Sequence, residues 1–173
     1  MQEPDPALIR RAQQGDMDAF AELVRACQAD CWRFARSLLH DRHAADDVTQ
    51  EAFLRAYRFL GSYRGESRFS TWLFRLVHNC AMDEVRRIER ARRPGPAPAP
   101  GTDVHARAEI REALDALPAA LREPFLLVEV FGLRYADSAA VLGVKEGTVK
   151  SRVHRARAAL IASLTVREEA DGL

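Results

Sequence analysis

The chain has 173 residues, 47% of them hydrophobic, with 26 basic and 25 acidic side chains and a formal net charge of +1. That is enough apolar material for the core of one domain or two small ones. No run approaches the roughly 18 apolar residues of a membrane span, and the opening MQEPDPALIRRAQQGD lacks the apolar centre of a signal peptide; a cytoplasmic protein without membrane insertion is expected.

Apolar residues recur at three and four along the whole chain, with no sustained alternation, so every element reads as helix. ALIRRAQQ, residues 7–14, predicts a short helix stopped by Gly15, with Asp16 or Asp18 available to cap the next. From Ala19 to about Leu39, residues Phe20, Leu23, Val24, Cys27, Cys31, Phe34, Ala35 and Leu38 form one buried stripe. HDRHAADD then makes a turn, with acids at the positive end of a third helix running from about Ala44 to Leu60. Its stripe is Val48, Ala52, Ala56 and Phe59, while Asp47, Gln50, Glu51 and Leu54 share a different face: a solvated acidic patch, or a docking face for a basic partner. GSYRGESRFS, 61–70, is a loop, and the fourth helix runs from Thr71 to about Arg93 with Trp72 largely buried.

RRPGPAPAPGTD, 92–103, holds four prolines and two glycines and cannot hold a helix. Residues 92–105 therefore read as a flexible Pro-rich linker between a domain of residues 1–91 and one of 106–168. Both halves are close to neutral, with 14 basic and 14 acidic residues in 1–90 and ten of each in 106–173. Any polyanion must then be met by a local patch. After the linker the pattern predicts a helix to Leu117, a break at Pro118, a helix from about Ala120 to Phe131 ended by Gly132, and a short helix YADSAAVL ended by Gly143.

GTVKSRVHRARAAL, 147–160, carries four cations and no acid. Val149, Val153, Ala156 and Leu160 form its apolar stripe; Lys150, Ser151, His154 and Arg155 point away from it, and Arg152 and Arg157 suit phosphates or intramolecular acids. Two short helices about a tight Gly-containing turn, the second with outward basic groups, is the helix-turn-helix pattern of major-groove readers. In RFSTWLFRLVHN, 68–79, aromatic and basic residues interleave beside a loop presenting Tyr63 and Arg64. That suits stacking on an unpaired base, with Asn79 as a hydrogen-bonding partner, although such spacing equally suits a core.

No phosphate-binding, metalloprotease or hydrolase signature occurs, so neither catalysis nor a cofactor is expected. Cys27 and Cys31 lie one turn apart, with His40 and His43 downstream. They read as packing thiols rather than a metal or redox pair, and the tail after Leu164 reads as frayed.

Taken in order, QQGDMDAFAELV, DDVTQEAFLRAYRFL, SYRGESRFSTWLFRLVHN, the Pro-rich linker and ALDALPAALREPFLLVEVFGLRYADSAAVLGVKEGTVKSRVHRARAAL resemble the extracytoplasmic-function sigma factors of bacterial RNA polymerase, over residues 7–164. The resemblance implies an all-α initiation subunit of two small helical domains, the second a helix-turn-helix, monomeric when free. In it, Asp47, Gln50, Glu51 and Leu54 would dock on the β′ clamp helices of core polymerase, and the 119–131 helix would lie beside the β flap. Tyr63, Arg64 and Asn79 would take a flipped base of the −10 element, and Thr148, Lys150, Ser151, His154 and Arg155 would meet −35 duplex DNA. An anti-sigma protein is a further expected partner. Three features depart from the family pattern: Ser138, where an aliphatic residue is usual, His154 at a variable base-reading position, and the pair of acids Asp83 and Glu84 in a segment that is more often basic. For Ser138 the expectations are a hydroxyl bonded back to its own helix, or loose packing.

Overall fold

The structure, a computed structural model, describes residues 1–91 and 105–171, and these contain helices and no strand. The described helices fall into two compact units, one of residues 1–91 together with Ala140–Leu142, the other of residues 105–139 and 143–171. The linker expected over 92–105 lies outside the described residues except for His105, with which a helix begins.

In the first unit, α1 (Pro6–Gln13) starts with proline, whose missing N–H costs nothing there, and Asp5 caps it by accepting from the Ala7 N–H at 2.7 Å. α2 (Met17–Leu39) is capped by Asp16, which accepts from the Ala19 N–H at 2.9 Å and from the Arg11 guanidinium at 2.6 Å. α3 (Arg42–Phe59) is capped by Asp41, the first acid of the HDRHAADD turn, which accepts from the Ala44 N–H at 2.8 Å; Asp46 and Asp47 lie beyond the first turn. A 3₁₀ turn, Leu60–Ser62, leads into the loop, and α4 (Phe69–Ala91) completes the unit.

α2, α3 and α4 pack mutually, and α1 packs on α2. The stripes meet in a core of Leu23, Cys27, Cys31, Phe34, Leu73, Phe74 and Val77, with the Phe34 and Phe74 rings edge to face at 5.3 Å. Phe59 departs from expectation: it is 53% exposed, because the helix tightens at its end and Leu60, 2% exposed, takes the buried place.

In the second unit, α5 (His105–Ala116) is followed by Pro118, at the N-cap of α6 (Ala119–Phe125). Arg122 is buried and donates from one guanidinium nitrogen to the carbonyls of Asp115 and Leu117, at 3.2 and 3.3 Å, satisfying acceptors that the end of α5 leaves open. The helix expected to run to Phe131 widens at Leu126–Val130 into a π-helical turn, in which the Phe131 N–H reaches the Leu126 carbonyl. Pro124 lies just upstream and has no N–H for the preceding turn. α7 (Tyr135–Leu142) ends at Gly143, whose φ of +67° is the left-handed conformation of a helix stop.

α8 (Glu146–Asp171) docks through Val149, Val153 and Ala156 onto the other helices, packing with Ala139, Phe125, Val128, Tyr135 and Val144. It does not stop near Leu164: neither glycine nor proline occurs between Leu164 and Gly172, and helix continues to Asp171. Ser138 does not bond back to its own helix: it is fully buried, and among the described residues its hydroxyl has no hydrogen-bond partner.

Both tryptophans, Trp32 and Trp72, belong to the first unit, so their fluorescence reports its unfolding. Phe34→Ala is expected to lower that unit's stability by about 3–5 kcal/mol in urea titration. The hydrogen bond from Ala19, then Arg11, holds the Asp16 carboxyl below its ordinary 3.8. A depressed acid stabilises the fold above its unfolded value, and this contribution is lost as pH falls through the folded value. The parent should therefore melt above Asp16→Asn at neutral pH, and the difference should vanish in acid. Cys27, Cys31 and Cys80 are buried, and burial lifts Cys27 and Cys80 to about 11 and Cys31 well above its ordinary value. Iodoacetamide at neutral pH should leave all three thiols unmodified until denaturant is added.

Candidate nucleic-acid interface

On α8, burial of Val149, Val153 and Ala156 fixes what faces outward. Lys150, Ser151, His154 and Arg155 are all exposed on the opposite side, and Thr148 is half-buried at their flank. The structure brings these five residues together on the first three turns. Two of the cations are already paired: Lys150 Nζ lies 2.7 Å from the Glu146 carboxylate and 5.9 Å from the centre of the Tyr135 ring, and Arg157 lies 2.6 Å from Glu129. The Ser151 hydroxyl donates to the Thr148 carbonyl at 3.0 Å. Such a face can meet a groove with hydroxyl, imidazole and cationic groups at once.

The second candidate surface is the loop between α3 and α4. Gly65 at its centre has φ +74°, a conformation that an L side chain strains to adopt, and this lets the chain reverse between Arg64 and Glu66. The Tyr63 hydroxyl donates to the Ser67 carbonyl at 2.7 Å and closes the loop on itself. The Tyr63 ring packs edge-on against Phe69 at 5.7 Å and tilted against Trp72 at 5.3 Å. Burial, and then the Glu3 charge, raise the Tyr63 phenol, so it remains a donor at neutral pH.

An open cavity of about 370 Å³ lies here, lined by Ser62, Tyr63, Arg64, Glu66, Ser67, Trp72 and Arg75. Trp72, expected to be largely buried, is only half-buried and forms one wall. Trp72, Arg75 and Asn79 follow one another at i, i+3 and i+7, on one face of α4, and Asn79 is exposed. Sequence reasoning did not single out Ser62, Glu66 and Ser67, because small polar residues in a loop carry no periodic signal.

The third surface lies on α3. Asp47, Gln50, Glu51 and Leu54 fall at i, i+3, i+4 and i+7 within one arc, with Asp47, Gln50 and Leu54 exposed. Glu51 is ion-paired to Arg55 at 2.7 Å; Arg55 reaches Asp83 of α4 at 3.2 Å, and Asp83 reaches Arg86 at 2.8 Å. Asp83 and Glu84, the acids that depart from the family pattern, are thus tied into ion pairs, Glu84 to Arg87 at 2.6 Å. The arginines hold both carboxyls below their ordinary values.

Among the described residues no three His, Cys, Asp or Glu side chains gather in a way that could hold a metal ion, and no helix is long and apolar enough to cross a membrane.

Comparison with known proteins bears on both units. The family description "Sigma-70 region 2" matches residues 23–91 and "Sigma-70, region 4" matches residues 107–160. The chain is 38% identical to the RNA polymerase sigma-H factor of Pseudomonas aeruginosa, over 92% of this chain and 93% of that one. It is 37% identical to the ECF RNA polymerase sigma factor SigC of Mycobacterium tuberculosis, over 90% and 89%. Among solved structures it is similar to the sigma factor RpoE of Bartonella quintana in complex with the anti-sigma factor NepR, with TM-score 0.72 and 28% identity over 85% of this chain and 97% of that one. With both regions matched in order and the identities spanning nearly the whole chain, the protein belongs to the extracytoplasmic-function sigma factors of the sigma-70 family, which are transcription initiation factors and not enzymes.

Proposed function

We propose that this protein binds core RNA polymerase and directs it to promoters by reading two elements: a −35 element as duplex, through α8, and a −10 element as an unpaired base, through the loop that follows α3. The observation that carries this reading is the cavity lined by Tyr63, Arg64 and Trp72: a half-buried, open space with aromatic walls and cations at its rim. A base entering it would stack on an aromatic face, meet Arg64 and Arg75, and present its edge towards Asn79.

On α8, Lys150, Ser151, His154 and Arg155 would contact base edges and phosphates in the major groove, with Thr148 beside them. The face of Asp47, Gln50, Glu51 and Leu54 suits a basic partner with an apolar spot, as the β′ clamp helices would be, and the α6 segment would lie by the β flap. Incoming cations would compete with Arg55 for Glu51. Neither DNA-reading surface carries enough charge to bind tightly alone. Held together on one polymerase, the second contact becomes intramolecular, at an effective concentration of about a millimolar, and weak sites suffice. The Bartonella relative was solved with an anti-sigma factor, which supports a protein of that kind as a partner here, releasing the chain in the cytoplasm when it lets go.

Run-off transcription with bacterial core polymerase, with and without the protein, on a genomic fragment library tests this directly. Discrete protein-dependent transcripts sharing two upstream motifs are expected; tight DNA binding by the free chain without association to core would overturn the proposal. Arg155→Ala should weaken promoter use about ten-fold through the −35 element, and Tyr63→Ala should slow melting by a similar factor. On promoters altered in one element, each variant should lose sensitivity only to its own.

A further inference from the structure

We infer that Gln13, at the end of α1, is a positioning residue for the cavity of Tyr63, Arg64 and Trp72: its side chain fixes the loop whose shape that cavity needs. This rests on the base-capture reading above. The side-chain amide of Gln13 donates to two loop carbonyls, that of Leu60 at 3.1 Å and that of Tyr63 at 2.8 Å. One amide nitrogen has two N–H groups, and here both are spent on the loop.

The other hydrogen bonds of the loop are local, among them that from the Ser62 hydroxyl to the Phe59 carbonyl at 2.7 Å. Within it, the Tyr63 N–H reaches the Leu60 carbonyl and the Tyr63 hydroxyl reaches Ser67, while Gly65 at the centre imposes no side-chain restraint. The far end is held from the same direction: the Glu3 carboxylate accepts from the Phe69 N–H at 2.5 Å, at the first turn of α4. Both anchors belong to the amino-terminal segment, which Ile9 and Ala12 seat in the core. Fixing the Tyr63 carbonyl fixes the Tyr63 backbone, and with it the ring between Phe69 and Trp72. Gln13 therefore acts on a base through Tyr63 without touching it.

The test uses the full chain with core polymerase and follows permanganate reactivity of −10 thymines as the promoter opens. Gln13→Met keeps the length and removes both donors; Gln13→Lys puts an ammonium in reach of the same two carbonyls. Gln13→Met should slow opening about five- to ten-fold, with affinity for core and for −35 duplex unchanged, and Gln13→Lys should stay within about two-fold of the parent. In a Tyr63→Ala background Gln13→Met should add nothing, the sign of a shared route. Parental opening by Gln13→Met while Tyr63→Ala is slow overturns the role of Gln13 alone, as does full additivity of the two changes. Parental opening by Tyr63→Ala overturns the base-capture reading, and this inference with it.

Discussion

The placement of the candidate functional surfaces in the first unit depends on how α4 is buried. Phe69, Leu73, Phe74, Val77, Cys80 and Ala81 all turn inward against α2 and α3, each 3% exposed or less. A helix with one face so committed has no freedom to rotate, so Trp72, Arg75 and Asn79 must stand outside, and the loop before α4 must arrive on their side. α8 obeys the same logic in the second unit: Val149, Val153 and Ala156 are inside, and Lys150, Ser151, His154 and Arg155 are left facing out. In both units the apolar stripe decides where the polar chemistry goes.

Electrostatics has a different character. Glu51–Arg55–Asp83–Arg86, Glu146–Lys150 and Glu129–Arg157 are largely exposed pairs, and such pairs add little stability. They can be exchanged cheaply for an outside partner. Candidate docking and reading groups are therefore held in place before any partner arrives, without being locked. This is how a nearly neutral chain can carry local acidic and basic faces.

Much of this was legible in the sequence because period and turn chemistry are local. The stripes of α2 and α8, the cap at Asp16 and the stops at Gly15 and Gly143 follow from spacing and residue type. Phe59 did not, because a helix that tightens in its last turn shifts the buried position by one residue, to Leu60. The run of α8 to Asp171 follows from the lack of a stop signal rather than from a pattern, and an absence is easily misread as fraying. The π-helical turn after Pro124 needs the surrounding packing to be seen. The cavity was half legible: Tyr63 and Arg64 stand out in their loop, whereas the hold of Gln13 on it spans 47 and 50 residues and has no sequence signature.

The pair of Glu146 with Lys150 bears on how α8 would respond to ionic strength. A cation in solution gathers mobile anions, and a phosphate gathers mobile cations; binding frees them, which is why such affinities fall with added salt. Lys150 already holds a tethered carboxylate at 2.7 Å, an internal counterion that stays with the chain. Any polyanion met by this face would displace Glu146 rather than a free ion at that position. The salt dependence of its binding would then count fewer charges than the exposed cations on the helix.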